Sequence, residues 1–259
     1  MNYKIFKPYE DRMIAFSTER EGYFINGTEG ISQEAYGSLN LCHYVGDNPD
    51  HVALNRQLFC QYHNINREML FVPRQTHSSN VKRIQPSIDL EETDGLTTNI
   101  KGSCIGINTA DCLPVLLYDP THHAAAAIHA GWRGLASRIV TKGIEMMKRD
   151  FGSVASDLLC AVGPAISTEI YEVGDELKPQ FAEAGFPIED IFIDRADWAK
   201  SHLSLQRAVR FELLECGFKT ENIEISDMCT YQNSTKFFSA RRFGINSGRI
   251  FSGIILKTK

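Results

Sequence analysis

CIGINTADCLPVLLYDPTHHAAAAIHAGWRGLA, residues 104–136, decides the fold. It holds three short apolar runs, CIGINT, LPVLLYD and AAAAIHA, separated by polar or proline-containing turns, which is the pattern of strands buried in a sheet. From Gly131 the period changes. GWRGLASRIVTKGIEMMKRDFG (131–152) places Leu135, Ile139, Met147 and Phe151 on one face and Lys142, Glu145, Lys148 and Arg149 elsewhere, so a single helix is expected to open just after His129.

Outward from this centre the signals are shorter. RMIAFS (12–17) reads as a first strand, and EREGYFINGTEGISQEAYGSLNL (19–41) as a long loop of the kind that usually serves function. Asp50 to Gln61 has helical spacing through Val52, Leu54, Leu58 and Phe59, with Asp47 or Asn48 as cap and Pro49 early. MLFV (69–72) and NVKRI (80–84) are expected strands flanking a turn that carries His77. Downstream come a strand in DLLCAVG, a loop GPAIS followed by Tyr171, Glu172 and Val173, a helix from about Lys200 to Cys216, and strands in NIEIS, KFFSARR and RIFSGIILK.

Composition narrows the function classes. A chain of 259 residues with 43% hydrophobic and 23% charged residues can build an ordinary core. No apolar stretch approaches the roughly 20 residues that span a bilayer, and the amino terminus lacks the basic start and apolar block of a signal peptide. A net charge of −5 argues against a surface devoted to nucleic-acid phosphates. Seven scattered cysteines, with no C-x-x-C, fit reduced thiols in a cytoplasmic protein, and Cys60, Cys104, Cys160 and Cys216 read as small buried hydrophobes.

Three metal-binding residue types sit at the edges of apolar runs: His77, Cys112 and His129, 35 and 17 residues apart (112 − 77 and 129 − 112). Two imidazoles and a thiolate suit zinc, and three protein ligands with a fourth position left open is the arrangement of catalytic sites. HAGWRG puts glycines and Arg133 at a strand-to-helix junction, where an anion is favoured. In FFSARRFG, strand alternation would send one of Arg241 and Arg242 inward, where an anionic partner is needed. GSCIG resembles a nucleophile elbow, but strand and turn, not helix, are expected after Cys104. The phosphate-loop, dinucleotide-loop, H-E-x-x-H and zinc-deaminase patterns are all missing.

SLNL (38–41), NR (55–56), QTH (75–77), DG (94–95), TADCLPVLLYDP, HAGWRG, GPAI, YEV, CTY (229–231) and FSARR occur together in order. In that combination the chain resembles the laccase-domain family, also called the multicopper polyphenol oxidase or purine nucleoside phosphorylase family, over nearly its whole length. It departs from the family pattern in GYFINGTEGIS, in FSARR and in Arg74 before QTH. The resemblance implies one domain over residues 1–259, with a compact α+β fold of mixed sheets similar to the cysteine hydrolase fold. It also implies zinc at His77, Cys112 and His129, phosphorolysis of adenosine, inosine and methylthioadenosine, and deamination of adenosine.

Copper-dependent phenol oxidation and peptidoglycan editing are further activities of the family. A multicopper centre needs many imidazoles, usually as H-x-H, whereas this chain has eight histidines and no H-x-H; a single copper remains compatible with the donors. On this reading Arg56, Arg242 and Arg133 would bind phosphate, Asn40 would hydrogen-bond sugar or phosphate, and Asp94 would orient His77 or act as an acid. The rival is a thiol hydrolase in which Cys112 attacks an amide, His129 is the base, and Asp94 or Asn108 orients it.

Overall fold

The computed structural model describes residues 1–21 and 29–258, so residues 22–28 of the expected long loop, and most of the GYFINGTEGIS departure, lie outside the described residues. The strands are β1 (Met13–Ser17), β2 (Leu70–Phe71), β3 (Val81–Arg83), β4 (Gly95–Thr98), β5 (Cys104–Thr109), β6 (Leu113–Asp119), β7 (Ala124–Ala130), β8 (Leu159–Val162), β9 (Phe192–Ile193), β10 (His202–Leu203), β11 (Ile223–Ile225) and β12 (Ile250–Leu256). The helices are α1 (Pro49–His63), α2 (Trp132–Ala136), α3 (Ile139–Phe151), α4 (Leu177–Glu183), α5 (Ile188–Ile191), α6 (Leu205–Glu215) and α7 (Ala240–Phe243).

Two sheets form the centre, one in the order β1-β12-β5-β2 and one in the order β11-β8-β6-β7-β4-β3. Both are mixed: β2–β5, β3–β4 and β8–β11 run parallel, and the other pairs in these two sheets antiparallel. The central strands are buried on both faces, which explains their near-continuous apolar runs. Alternation then divides each strand between two interiors. Leu116, Tyr118, Ala125 and Ala127 meet Ile105, Ile107, Met13 and Ile254 of the other sheet. Leu113, Val115, Leu117, Ala126 and Ile128 face the opposite way, onto Ile139, Val140 and Met147 of α3 and Ala208, Val209 and Leu213 of α6. Each fully buried Leu, Ile, Val or Met side chain among them contributes about 1.5–3 kcal/mol. The two interiors are thus joined through β6 and β7, which furnish side chains to both.

The register decides where the chemistry falls. Leu113 pairs with Ala130 and Pro114 with His129, so the start of β6 lies beside the end of β7. Gly95 pairs with Ile128 and, in parallel, with Val81, which brings the start of β4 and the turn before β3 to the same end of the sheet. His77, Asp94, Cys112 and His129 thus converge although they span more than fifty residues.

Three expected elements differ. The helix from Gly131 is two helices, broken at Arg138, whose φ of 57° is left-handed. The Arg138 side chain secures the break by donating to the Ala184 carbonyl and the Glu215 carboxylate while lying 4.0 Å over the Phe186 ring. KFFSARR is not a strand. Phe237 and Phe238 are consecutive and both fully buried, so alternation fails, and Ser239 then caps α7 by accepting from the Arg242 N–H. The helix expected from Lys200 begins at Leu205, because Ser204 accepts from the Arg207 N–H and His202–Leu203 pairs with β9. Cys104 opens a buried strand, so the elbow geometry is absent there. Cys60, Cys104 and Cys160 are buried as expected, while Cys216 is only partly so.

Candidate metal centre

The centre is assembled around a carboxylate. Asp94, fully buried just before β4, accepts hydrogen bonds from the backbone N–H groups of Thr76 (3.2 Å), His77 (3.0 Å) and Ser78 (2.8 Å). The Ser78 hydroxyl adds a fourth at 2.6 Å and the His129 Nδ1–H a fifth at 2.7 Å. Three successive N–H groups can wrap one anion only if the chain curls, and His77 supplies the curl with φ 60°. Histidine tolerates that region better than most residues. One acid therefore fixes both the main chain of His77 and the ring of His129.

Cys112 completes the group. Its Sγ lies 3.8 Å from His77 Nε2, and the donor atoms of His77, Cys112 and His129 all lie within 4.8 Å of one another. A tetrahedral zinc ion with bonds of about 2.0–2.3 Å separates neighbouring donors by about 3.3–3.6 Å, so the donor set fits with small adjustments. With Asp94 holding Nδ1, His129 has Nε2 left for an ion. His77 is exposed, Cys112 partly so and His129 buried, which leaves the group open on the His77 side.

Electrostatics favour ligation. Burial alone would raise the Cys112 thiol, but His129 and His77 beside it outweigh burial and bring it down to about 6. Burial would likewise lower His129, yet the Cys112 charge and Asp94 carry it up to about 9. The two form a thiolate–imidazolium pair. Burial pushes Asp94 up, while His129 and Ser78 pull it below the ordinary carboxylate range. Asp94 therefore orients His129 through its ring and His77 through its backbone. Of the two residues expected to orient His129, it is Asp94 and not Asn108 that bonds the ring.

Gly131 is required by close approach. A Cβ there would lie 2.9 Å from Cys112 Sγ and 3.2 Å from His77 Cδ2. The glycine of HAGWRG thus serves the ligands; the helix after it has only five residues and is no anion site in itself.

The other expected residues separate. Asn40 is fully buried and spent: its Nδ2 donates to the Cys42 carbonyl and to Asp47, and its Oδ1 accepts from the Cys42 and Arg249 N–H groups. It braces loops and has no capacity for sugar or phosphate. Arg56 donates from Nε to the Leu41 carbonyl and lies 2.8 Å from His43 Nδ1, so it holds the same segment. Arg133 is exposed, lies 4.3 Å over the Trp132 ring and shares with His77 a groove of about 490 Å³ that also includes Gln180 and Glu183. Arg242 is exposed and lies 5.2 Å over the Tyr231 ring.

The arginine on the metal side is Arg241, 5.5 Å over Tyr171. Its N–H donates to Asp111 Oδ2, and Asp111 Oδ1 accepts from the Thr230 hydroxyl. The TADC, CTY, YEV and FSARR segments are thus one contact network around Cys112. Their joint presence in the sequence was its only signal.

Comparison with known proteins agrees with this geometry. The sequence model of the multi-copper polyphenol oxidoreductase laccase family matches residues 21–257. A purine nucleoside phosphorylase of Bacteroides thetaiotaomicron is 38% identical, covering 93% of this chain and 90% of that protein. Adenosine deaminase RL5, of unknown prokaryotic origin, is 39% identical over 87% of this chain and 89% of its own length. The crystal structure of the Bacillus licheniformis hypothetical protein YfiH superposes with a TM-score of 0.87 at 28% identity, over 95% of this chain and 93% of that one. With its sequence matched over nearly all its length and its fold shared, the chain belongs to the multi-copper polyphenol oxidoreductase laccase family.

Proposed function

We propose that this protein is a zinc-dependent purine nucleoside enzyme that phosphorolyses adenosine, inosine and methylthioadenosine to the free base and the (methylthio)ribose 1-phosphate, and also deaminates adenosine. The observation that carries this reading is the three-donor group His77, Cys112 and His129, open on one side and braced by Asp94. Relatives of 38% and 39% identity with purine nucleoside phosphorylase and adenosine deaminase names support the substrate class. Zinc held there supplies Lewis-acid activation of phosphate or water at its open position.

The chain's own residues set up that chemistry. Asp94 fixes His129 and the His77 turn, so the donors need no reorganisation. The groove beside His77, with Trp132 and Arg133, is where we place the nucleoside. Copper is compatible with the same donors. A multicopper oxidase is disfavoured, because among the described residues only one group of three could hold a metal ion. The net charge of −5 supports small-molecule rather than nucleic-acid partners, no helix is long and apolar enough to cross a membrane, and free thiols throughout suit the cytoplasm.

Chromatographic analysis of the zinc-loaded protein with adenosine, with and without phosphate, tests the reading. Adenine and ribose 1-phosphate are expected only with both phosphate and zinc, and inosine with zinc alone. One feature favours a second reading: Cys112, His129 and Asp94 are arranged as a thiol hydrolase would need. Absence of nucleoside products, with iodoacetamide-sensitive amide hydrolysis that survives zinc removal, would establish that alternative, including a role in peptidoglycan editing.

A further inference from the structure

Two arginines near the centre have no acidic partner. Arg241 and Arg133 are both exposed, and among the described residues no carboxylate lies within ion-pair distance of either. Each is nevertheless held in place. Arg241 is tied by its N–H to Asp111 and by Nη2 to the Glu172 carbonyl at 3.3 Å, and its guanidinium lies over Tyr171. Arg133 lies over Trp132 at the groove that contains His77. Arg241 is thus fastened to the residue that precedes Cys112, and Arg133 stands at the groove of His77.

The aromatic rings of Tyr171 and Trp132 order the two guanidinium groups, one each, while among the described residues no carboxylate takes up their N–H donors. Arginine's planar fork matches the oxygens of phosphate, and a charge-assisted bond to it is roughly twice as strong as a neutral one. We propose that Arg241, with Arg133 at the groove of His77, binds the inorganic phosphate co-substrate beside Cys112, and that Asp111 is the positioning residue that ties this anion site to the metal centre. The proposal rests on the phosphorolysis reading for its co-substrate.

Asp111 suits the positioning role by its place in the chain. It immediately precedes Cys112, is 8% exposed and adopts φ 87°. Its carboxylate accepts from the Thr230 hydroxyl at 2.6 Å and the Arg241 N–H at 2.7 Å, and its carbonyl accepts from the Ile166 N–H at 2.9 Å. Three segments remote in sequence are thus fastened to the residue next to a metal ligand. Any shift of Cys112 is transmitted to Arg241 through one side chain.

The test is isothermal titration of the zinc-loaded protein with inorganic phosphate, together with steady-state phosphorolysis and deamination of adenosine. R241M is expected to weaken phosphate binding and raise the phosphate KM by about ten- to a hundredfold, with the deamination rate and zinc content unchanged. R241K should recover part of the loss, and the charge-matched surface control R149M should lose nothing. D111N is expected to raise the phosphate KM in the same direction without a matching fall in the kcat of phosphorolysis. Phosphate binding and KM unchanged in folded R241M, or a parallel fall in deamination, overturns the proposal. If wild type binds phosphate through Arg241 but forms no ribose 1-phosphate, the anion site stands and the phosphorolysis reading falls. If wild type binds no phosphate, both fall.

Discussion

Asp94→Asn removes one charge and almost no volume, yet it strikes the hydrogen bonds that hold the centre together. Asp94 accepts five hydrogen bonds, two at Oδ1 from His77 N and His129 Nδ1 and three at Oδ2 from Thr76 N, Ser78 N and Ser78 Oγ. An amide has one acceptor oxygen. If that oxygen keeps the Oδ2 position, the new NH₂ faces the His77 N–H and forces His129 to accept at Nδ1. The His129 proton then moves to Nε2, where a metal needs a lone pair. If the oxygen takes the other position, two backbone donors and a hydroxyl lose their acceptor.

The first placement gives up two hydrogen bonds to a charged acceptor and the second three, at about 1.5–3 kcal/mol each, so the cheaper placement costs about 3–6 kcal/mol before solvent and relaxation recover some of it. Zinc affinity is expected to fall about 10- to 100-fold or more, the range for groups that orient a metal's ligands. Chelator competition reads the affinity, and urea unfolding of the zinc-free protein reads the stability. The wild-type Asp94 sits below its unfolded-state range, so its stabilisation is present at neutral pH and is lost as pH falls through its folded value. D94N should lack that portion of the acid sensitivity. Wild-type zinc affinity and stability in D94N would refute the account of the centre as built around this carboxylate.

Gly131→Ala should lower zinc affinity with little change in the stability of the zinc-free protein, since the added methyl meets Cys112 Sγ at 2.9 Å and His77 Cδ2 at 3.2 Å; equal affinity in chelator competition would show that the turn yields freely. Cys112→Ala should abolish zinc binding and nucleoside turnover together, and turnover retained without metal, followed by chromatography, would remove zinc from the mechanism. Glu212 is buried, its Oε1 accepts from Thr141 N and Oγ1, its Oε2 has no partner, and burial raises it from 4.5 to about 7. Wild-type stability should therefore decline as pH rises from 4.5 to about 7 and then level off, a loss of about 3 kcal/mol at about 1.4 kcal/mol per pH unit. Glu212→Gln should flatten that slope and be the more stable protein at pH 8 in urea unfolding; an unchanged slope would show that Glu212 is not its source.

The sequence made the donors legible and left their support obscure, for a physical reason. His77, Cys112 and His129 stand at strand ends beside polar turns, and strands have a short enough period to be read locally. The β5–β6–β7 core and α1, capped by Asn48 as expected, follow from the same local signals. What holds the ligands is non-local: Asp94 reaches across to residues 76–78 and 129, and Asp111 to residues 230 and 241. Arg241 and Arg242 could not be ranked by alternation because two buried phenylalanines and a Ser239 cap turn that segment into α7. Asn40 and Asn55 illustrate the converse. Asn40 invites a ligand role, but the fully buried Asn55 bridges it to Ile31, Ser32 and Ser38, so SLNL and NR occur together to close a loop.

The charge balance of the centre explains why a buried carboxylate sits so close to it. Without metal, the Cys112 thiolate and the Asp94 carboxylate carry two negative charges against one on His129, and the N–H groups at residues 76–78 offset much of the remainder with partial positive charge. Replacing the His129 proton by a divalent cation makes that group of ligands and acid neutral overall. Ligation therefore expels one proton and completes a balance for which the protein is already shaped, which is why such a site binds metal more tightly as pH rises. Neutrality at the ligands also leaves an anionic co-substrate no net repulsion to overcome there. The attraction for it must then come from outside the ligand set, where Arg133 at the groove of His77 and Arg241, tied by its N–H to Asp111, are cations with no carboxylate partner among the described residues.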